Sequence, residues 1–221
     1  PLARAVISVL PAAARIEDFV FSSDGARILF AWDASSNDVT EAWVADVTTL
    51  REQNAILAAA PSFPNGDVRS ASMLPVPGSS RFVVGGDLLL ENTDELFLID
   101  AETFPPTLIR ASSPLAPGET NVETESGDFG VTVDGQALWY LPRREIDSAT
   151  RLMRVDLANP GSAIQLDAAT DESFRIQTAE RLGRGPGLLA LGRLAGTDES
   201  ELFIFDLAGP PGQPLTRVNA P

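Results

Sequence analysis

One short strand-like segment recurs four times along this chain, and that repetition limits the possible folds more than any other feature. The copies are Ala42-Trp43-Val44-Ala45-Asp46-Val47, Leu96-Phe97-Leu98-Ile99-Asp100-Ala101, Leu152-Met153-Arg154-Val155-Asp156-Leu157 and Leu202-Phe203-Ile204-Phe205-Asp206-Leu207. Each is a mostly apolar run closed by Asp and a small or aliphatic residue. The aspartates at 46, 100, 156 and 206 are 54, 56 and 50 residues apart. A fixed period of this size marks a repeat architecture.

Each copy has the same surroundings. About a dozen residues upstream lies a second apolar run, at 27–32, 81–84, 137–141 and 188–191. Asp24-Gly25 and Asp134-Gly135 precede two of these runs, and Asp-Gly between β-rich segments is a hairpin cue. Pro77-Gly78-Ser79-Ser80 and Gly183-Arg184-Gly185-Pro186-Gly187 take that place in the other two. A run before each turn (16–21, 68–74, 128–133, 174–179) and one after each Asp (55–57, 107–110, 163–166, 214–218) complete four strands per unit. Helical spacing is met at one place, 48–60, where Leu50, Ile56 and Leu57 share a face.

Four-stranded antiparallel units at this period predict an all-β chain of propeller blades. A blade is a small sheet with two apolar faces, so it must stack against neighbours. The blades are expected near 12–60, 66–112, 126–168 and 173–219, in a single propeller region spanning 1–221. Pro1-Leu2-Ala3-Arg4-Ala5 resembles the last strand of the fourth repeat, Pro214-Leu215-Thr216-Arg217-Val218. Residues 1–8 are therefore expected to be the outer strand of a preceding blade, and the four blades an arc of a larger propeller; the alternative is that residues 2–6 are a packed arm.

The first repeat resembles a TolB-type, WD40-like blade. Phe21-Ser22-Ser23-Asp24-Gly25-Ala26-Arg27-Ile28-Leu29-Phe30 and Glu41-Ala42-Trp43-Val44-Ala45-Asp46-Val47 follow the family pattern, with Ser23 where Pro is usual. The third repeat keeps Asp134-Gly135 and Asp156, and the second and fourth keep the Asp-ended strand. The resemblance implies a bacterial, periplasmic or secreted scaffold that binds a protein partner. It leaves open the gating propeller of a larger serine hydrolase, prolyl-oligopeptidase-like, with its catalytic residues outside this chain.

Composition narrows the chemistry. The chain has no Cys, no His and no Lys, and its 16 basic residues are all Arg. A Ser-His-Asp triad, a Cys or His metal site and a P-loop are therefore excluded within these residues. No cofactor is expected. The net charge of −15 opposes phosphate backbones and anionic membranes, so neither nucleic acid nor membrane insertion is predicted. No apolar run approaches the roughly 18 residues of a membrane span, and no signal peptide is visible at the N-terminus.

Candidate binding residues fall in the loops between the second and third strands, since loops on a rigid scaffold carry function. They are Asp33, Asn37 and Asp38 in the first unit, Glu91 and Asp94 in the second, Arg143 and Arg144 in the third, and Asp198 and Glu199 in the fourth. Residues 33–38 space oxygen ligands as a calcium loop does, but lack Gly at the sixth position and Glu at the twelfth. A polar loop is the simpler reading, with calcium as the alternative. Asp46, Asp100, Asp156 and Asp206 recur once per unit at one strand end, which points to a structural role in binding turn N–H groups. Glu17, Asp18 and Asp128 offer carboxylates near the propeller axis. Trp32, Trp43 and Trp139 are read as packing between blades.

Overall fold

A computed structural model describes residues 15–33, 39–47, 55–62, 66–103, 105–115, 119–122, 124, 128–144, 151–167, 174–182, 187–194, 200–208 and 216–218. Its described elements are all strands. The chain divides into two compact units, Pro1–Arg110 and Ala111–Pro221.

The first unit holds two four-stranded sheets. Blade 1 is β1 (Arg15–Phe21), β2 (Arg27–Asp33), β3 (Glu41–Asp46) and β4 (Ala55–Ala59). Blade 2 is β5 (Val68–Pro75), β6 (Arg81–Gly86), β7 (Glu95–Asp100) and β8 (Thr107–Arg110). In the second unit a two-stranded ribbon pairs β9 (Glu119–Val122) with β12 (Pro142–Arg144). Blade 3 is β10 (Phe129–Val131), β11 (Ala137–Tyr140), β13 (Met153–Asp156) and β14 (Ala163–Gln165). Blade 4 is β15 (Phe174–Arg181), β16 (Gly187–Leu194), β17 (Ser200–Asp206) and β18 (Thr216–Arg217). Within each blade the strands follow chain order in an antiparallel meander.

The register repeats with the sequence. The first residue of each second strand faces the repeat aspartate: Arg27 and Asp46, Arg81 and Asp100, Ala137 and Asp156, Gly187 and Asp206. Each first hairpin is closed by one backbone bond at the equivalent place. The donors are the N–H groups of Ser22, Val76, Thr132 and Leu182, and the acceptors the carbonyls of Arg27, Arg81, Ala137 and Gly187, at 2.8–2.9 Å. Gly25, Gly78 and Gly135 take φ of 68–73° in three of these turns, a conformation that side chains disfavour.

The pleat sorts each apolar strand onto two faces. In the first unit, Leu29, Ala31, Ala42 and Val44 of blade 1 form a core with Phe82, Val84, Phe97 and Ile99 of blade 2. In the second unit, Trp139, Leu141 and Leu152 of blade 3 pack with Leu188, Ala190, Phe203 and Phe205 of blade 4. Aligned on the repeat aspartates, the two interfaces are the same. One parity of positions, here the trailing face, belongs to the earlier blade. The opposite parity, the leading face, belongs to the later one. Gly130 leaves room for this packing in blade 3, because a Cβ there would lie 2.8 Å from the Trp139 indole.

One local alternative is settled and one expectation corrected. Residues 55–59 form β4, the fourth strand expected at 55–57 and not the helix that the spacing over 48–60 allows, and pair with β3, Leu57 facing Trp43 and Ile56 facing Val44. Pairing to an open sheet edge outweighs a marginal helical pattern. Arg143 and Arg144 are not loop residues. They lie in β12, opposite Asn121 and Glu119. Residues 1–8 lie outside the described residues.

Candidate functional site

The turn between β6 and β7 is the most fully built loop among the described residues. β6 ends at Gly85-Gly86, and the backbone of Asp67 passes directly over Gly86 (a Cβ there would meet the Asp67 carbonyl at 2.3 Å). That close approach locks two segments together. The Asp87 N–H donates to the Asp67 carbonyl at 3.1 Å, and the Asp67 N–H donates to Asp87 Oδ1 at 2.6 Å. The Thr40 N–H donates to Asp67 Oδ1 at 2.8 Å, which anchors blade 1 to the same point.

Beyond Asp87 the chain dips and then emerges. Leu88 is buried, and its carbonyl accepts from the Ser62 N–H at 2.9 Å. Leu89 and Leu90 then stand in solvent, 47% and 57% exposed. The Thr93 N–H closes the turn onto the Leu90 carbonyl at 3.1 Å, with Asn92 in the left-handed region at φ 57°. Asn is one of the few residues that tolerate this conformation. Two exposed leucines on a backbone so fixed form a preorganised apolar contact, which keeps the entropy cost of binding low.

Charged residues flank the pair along the turn, with Asp87 before it and Glu91 and Asp94 after it. Arg69 Nε lies 3.1 Å from Asp94 Oδ1, and its terminal nitrogens lie 3.9 Å from Asp67 and 4.0 Å from Asp87. Burial raises the Asp94 carboxyl above its ordinary range, while Arg69 pulls it back down. The buried Glu95 forms an ion pair between β7 and β8 with Arg110, which is itself partly exposed. Among the described residues no three His, Cys, Asp or Glu side chains are arranged to hold a metal ion. These carboxylates are engaged by N–H groups and a guanidinium, so they shape the turn and set its charge.

The sequence-predicted residues distribute unevenly. Glu91 and Asp94 come together on this turn. Asp33 ends β2. Arg143 and Arg144 lie on the ribbon of the second unit. Asn37, Asp38, Asp198 and Glu199 lie outside the described residues. Of the repeat aspartates, Asp100, Asp156 and Asp206 each accept at Oδ1 from the N–H two residues on, Glu102, Ala158 and Ala208, at 2.9–3.0 Å. Asp46 forms an ion pair with Arg27 at 2.6 Å. Asp18 accepts from the Phe19 N–H, and the Asp128 carbonyl accepts from the Leu141 N–H. Leu89, Leu90, Asp67, Arg69 and Asp87 were not singled out from the sequence. The only signal for the leucines is the run Leu88-Leu89-Leu90 after a double glycine and before a polar turn.

No protein-family model and no curated protein matches the sequence. Solved structures do match the fold. Prolyl oligopeptidase B from Galerina marginata superposes with a TM-score of 0.56 at 11% identity, over 91% of this chain and 26% of that one. A prolyl endopeptidase structure, from a study of inter-domain dynamics in catalysis and specificity, matches at 0.53 and 14%, over 90% and 26%. TolB from Acinetobacter baumannii matches at 0.46 and 14%, over 87% and 41%. This chain thus spans about a quarter of the length of the oligopeptidase and the endopeptidase. At these identities the likeness shows the fold, a β-propeller of four-stranded blades.

Proposed function

We propose that this chain is a non-catalytic propeller scaffold that holds a protein partner on the β6–β7 turn. The observation that carries the reading is the exposed Leu89-Leu90 pair on a hydrogen-bonded turn. An apolar anchor ringed by polar groups is the usual anatomy of an interface centre. The residue types point the same way, since the chain offers no His, Cys or Lys for catalysis. An extracytoplasmic location belongs to this reading through the likeness of the first repeat to TolB-type blades.

A photo-crosslinking residue at position 90 of the intact polypeptide, in its native host, tests the proposal. A discrete cross-linked partner is expected, lost when the probe is moved to exposed Glu102. Leu89→Ser with Leu90→Ser should weaken partner binding about tenfold or more with an unchanged melting temperature. An intact turn with no partner at position 90, or turnover of a peptide by the 221-residue chain, would sink the idea.

The superposition on prolyl oligopeptidase B, the higher of these TM-scores, supports a second reading, the gating propeller of a larger serine hydrolase. That reading requires a Gly-x-Ser-x-Gly segment elsewhere in the polypeptide. Labelling of the intact protein by a fluorophosphonate would favour it, and a reading frame without such a segment would remove it.

A further inference from the structure

Charge restricts what the β6–β7 turn can receive, given its reading above as a contact for a protein partner. Leu89 and Leu90 stand between Asp87 on one side and Glu91 and Asp94 on the other. Asp67 belongs to the same group, because its N–H donates to Asp87. The ion pairs among the described residues place one guanidinium here, that of Arg69, shared by Asp67, Asp87 and Asp94. Four carboxylates against one guanidinium leave a formal charge of −3 beside the two leucines. The side chains of Asp87 and Asp94 are 5% and 19% exposed, so salt screens them less than it screens surface charges. Glu91, next to Leu90, is exposed.

The backbone adds a second restriction. Four consecutive carbonyls are already engaged within the fold. The Leu88 carbonyl accepts from the Ser62 N–H at 2.9 Å and the Leu89 carbonyl from Ser62 Oγ at 3.5 Å. The Leu90 carbonyl accepts from the Thr93 N–H at 3.1 Å and the Glu91 carbonyl from Thr93 Oγ1 at 3.4 Å. The turn therefore offers side chains rather than a backbone ladder, which disfavours an added strand. We propose that its occupant is a folded protein surface with an apolar pocket for Leu89 and Leu90 and Lys or Arg side chains on the rim. Such a rim meets the turn's charge, speeds encounter and fixes orientation. An acidic rim would repel, and a neutral one would desolvate carboxylates without compensation.

The probe is a phage-displayed three-helix domain with one randomised face, basic and acidic residues being encoded equally. Binders are selected on the intact polypeptide and counter-selected on its Leu89→Ser, Leu90→Ser variant. Among the leucine-dependent binders, Lys and Arg should exceed Asp and Glu about threefold or more. The net charge of −15 favours basic binders anywhere on the chain, so a second measurement fixes the place. Glu91→Gln should slow their association about twofold or more. Glu102→Gln removes the same charge at an exposed position past the far end of β7 and should leave the rate unchanged. Leucine-dependent binders without a basic excess, or with equal responses to the two substitutions, would overturn this inference and leave the contact itself standing. The absence of any leucine-dependent binder would overturn both.

Discussion

The Asp24 turn joins two blades, and its contribution can be worked out. Asp24 Oδ1 accepts from Ser22 Oγ at 2.6 Å and from the Ala26 N–H at 3.0 Å, while Oδ2 accepts from Ser80 Oγ of blade 2 at 2.5 Å. The bonds from Ser22 and Ser80, then Ala26, draw its carboxyl down to about 2 from the ordinary 3.8. A fully buried group so shifted would contribute about 2.5 kcal/mol. This carboxylate faces water, so screening reduces the figure to about 1 kcal/mol. Asp134 makes the equivalent bonds to Thr132 Oγ1 and the Gln136 N–H, which makes it the internal control for the turn alone. We expect Asp24→Ala to destabilise the first unit by about 1–2 kcal/mol. The coupling to Ser80→Ala in a double-mutant cycle should be about 1 kcal/mol at pH 7. A depressed carboxyl contributes stability above its unfolded value and loses it as pH falls through the folded one. The coupling should therefore hold at pH 5 and decline between pH 4 and pH 2. Urea titration in a Trp139→Phe background reads the first unit, because Trp32 and Trp43 both lie there. A coupling near zero at pH 7, or one unchanged at pH 2.5, would refute the assignment of this bond as an inter-blade tie.

Two further outcomes follow from packing. Gly130→Ala puts a methyl 2.8 Å from the Trp139 ring, so it should cost about 1–3 kcal/mol and shift the tryptophan emission; an unaltered spectrum and midpoint would show that the ring has space to move. Arg110→Met leaves the buried Glu95 carboxylate without this guanidinium and should cost about 1–3 kcal/mol, less than for a fully buried pair because Arg110 is partly exposed; adding Glu95→Leu should recover most of the loss, and a double variant no better than the single would show that the stranded carboxylate is not what costs stability.

The blade count and strand order were legible because both depend on local signals. Asp-Gly turns and Asp-ended strands act within a few residues, so each repeat announces itself regardless of its neighbours. The β9–β12 ribbon was not legible, because Pro142-Arg143-Arg144 reads as a charged loop until Glu119–Val122 arrives from 20 residues upstream to pair with it. β4 was legible at 55–57 from its place after the first Asp-ended strand, although its apolar spacing also suits a helix until the free edge of β3 is present. The contact leucines were hidden for a related reason. Leu88, Leu89 and Leu90 are identical in sequence, and only the Ser62 and Thr93 bonds to the backbone on either side decide which is buried and which exposed.

The deepest information in the chain is a parity, and sequence alone could not assign it. Every second and third strand of blades 1 and 2 is apolar on both faces, so alternation, the ordinary guide to inside and outside, is absent. Register supplies what alternation does not. Once Arg27 is paired with Asp46 and Arg81 with Asp100, each apolar position belongs to one of two faces. The cores of the two units then show that these faces meet head to tail in chain order.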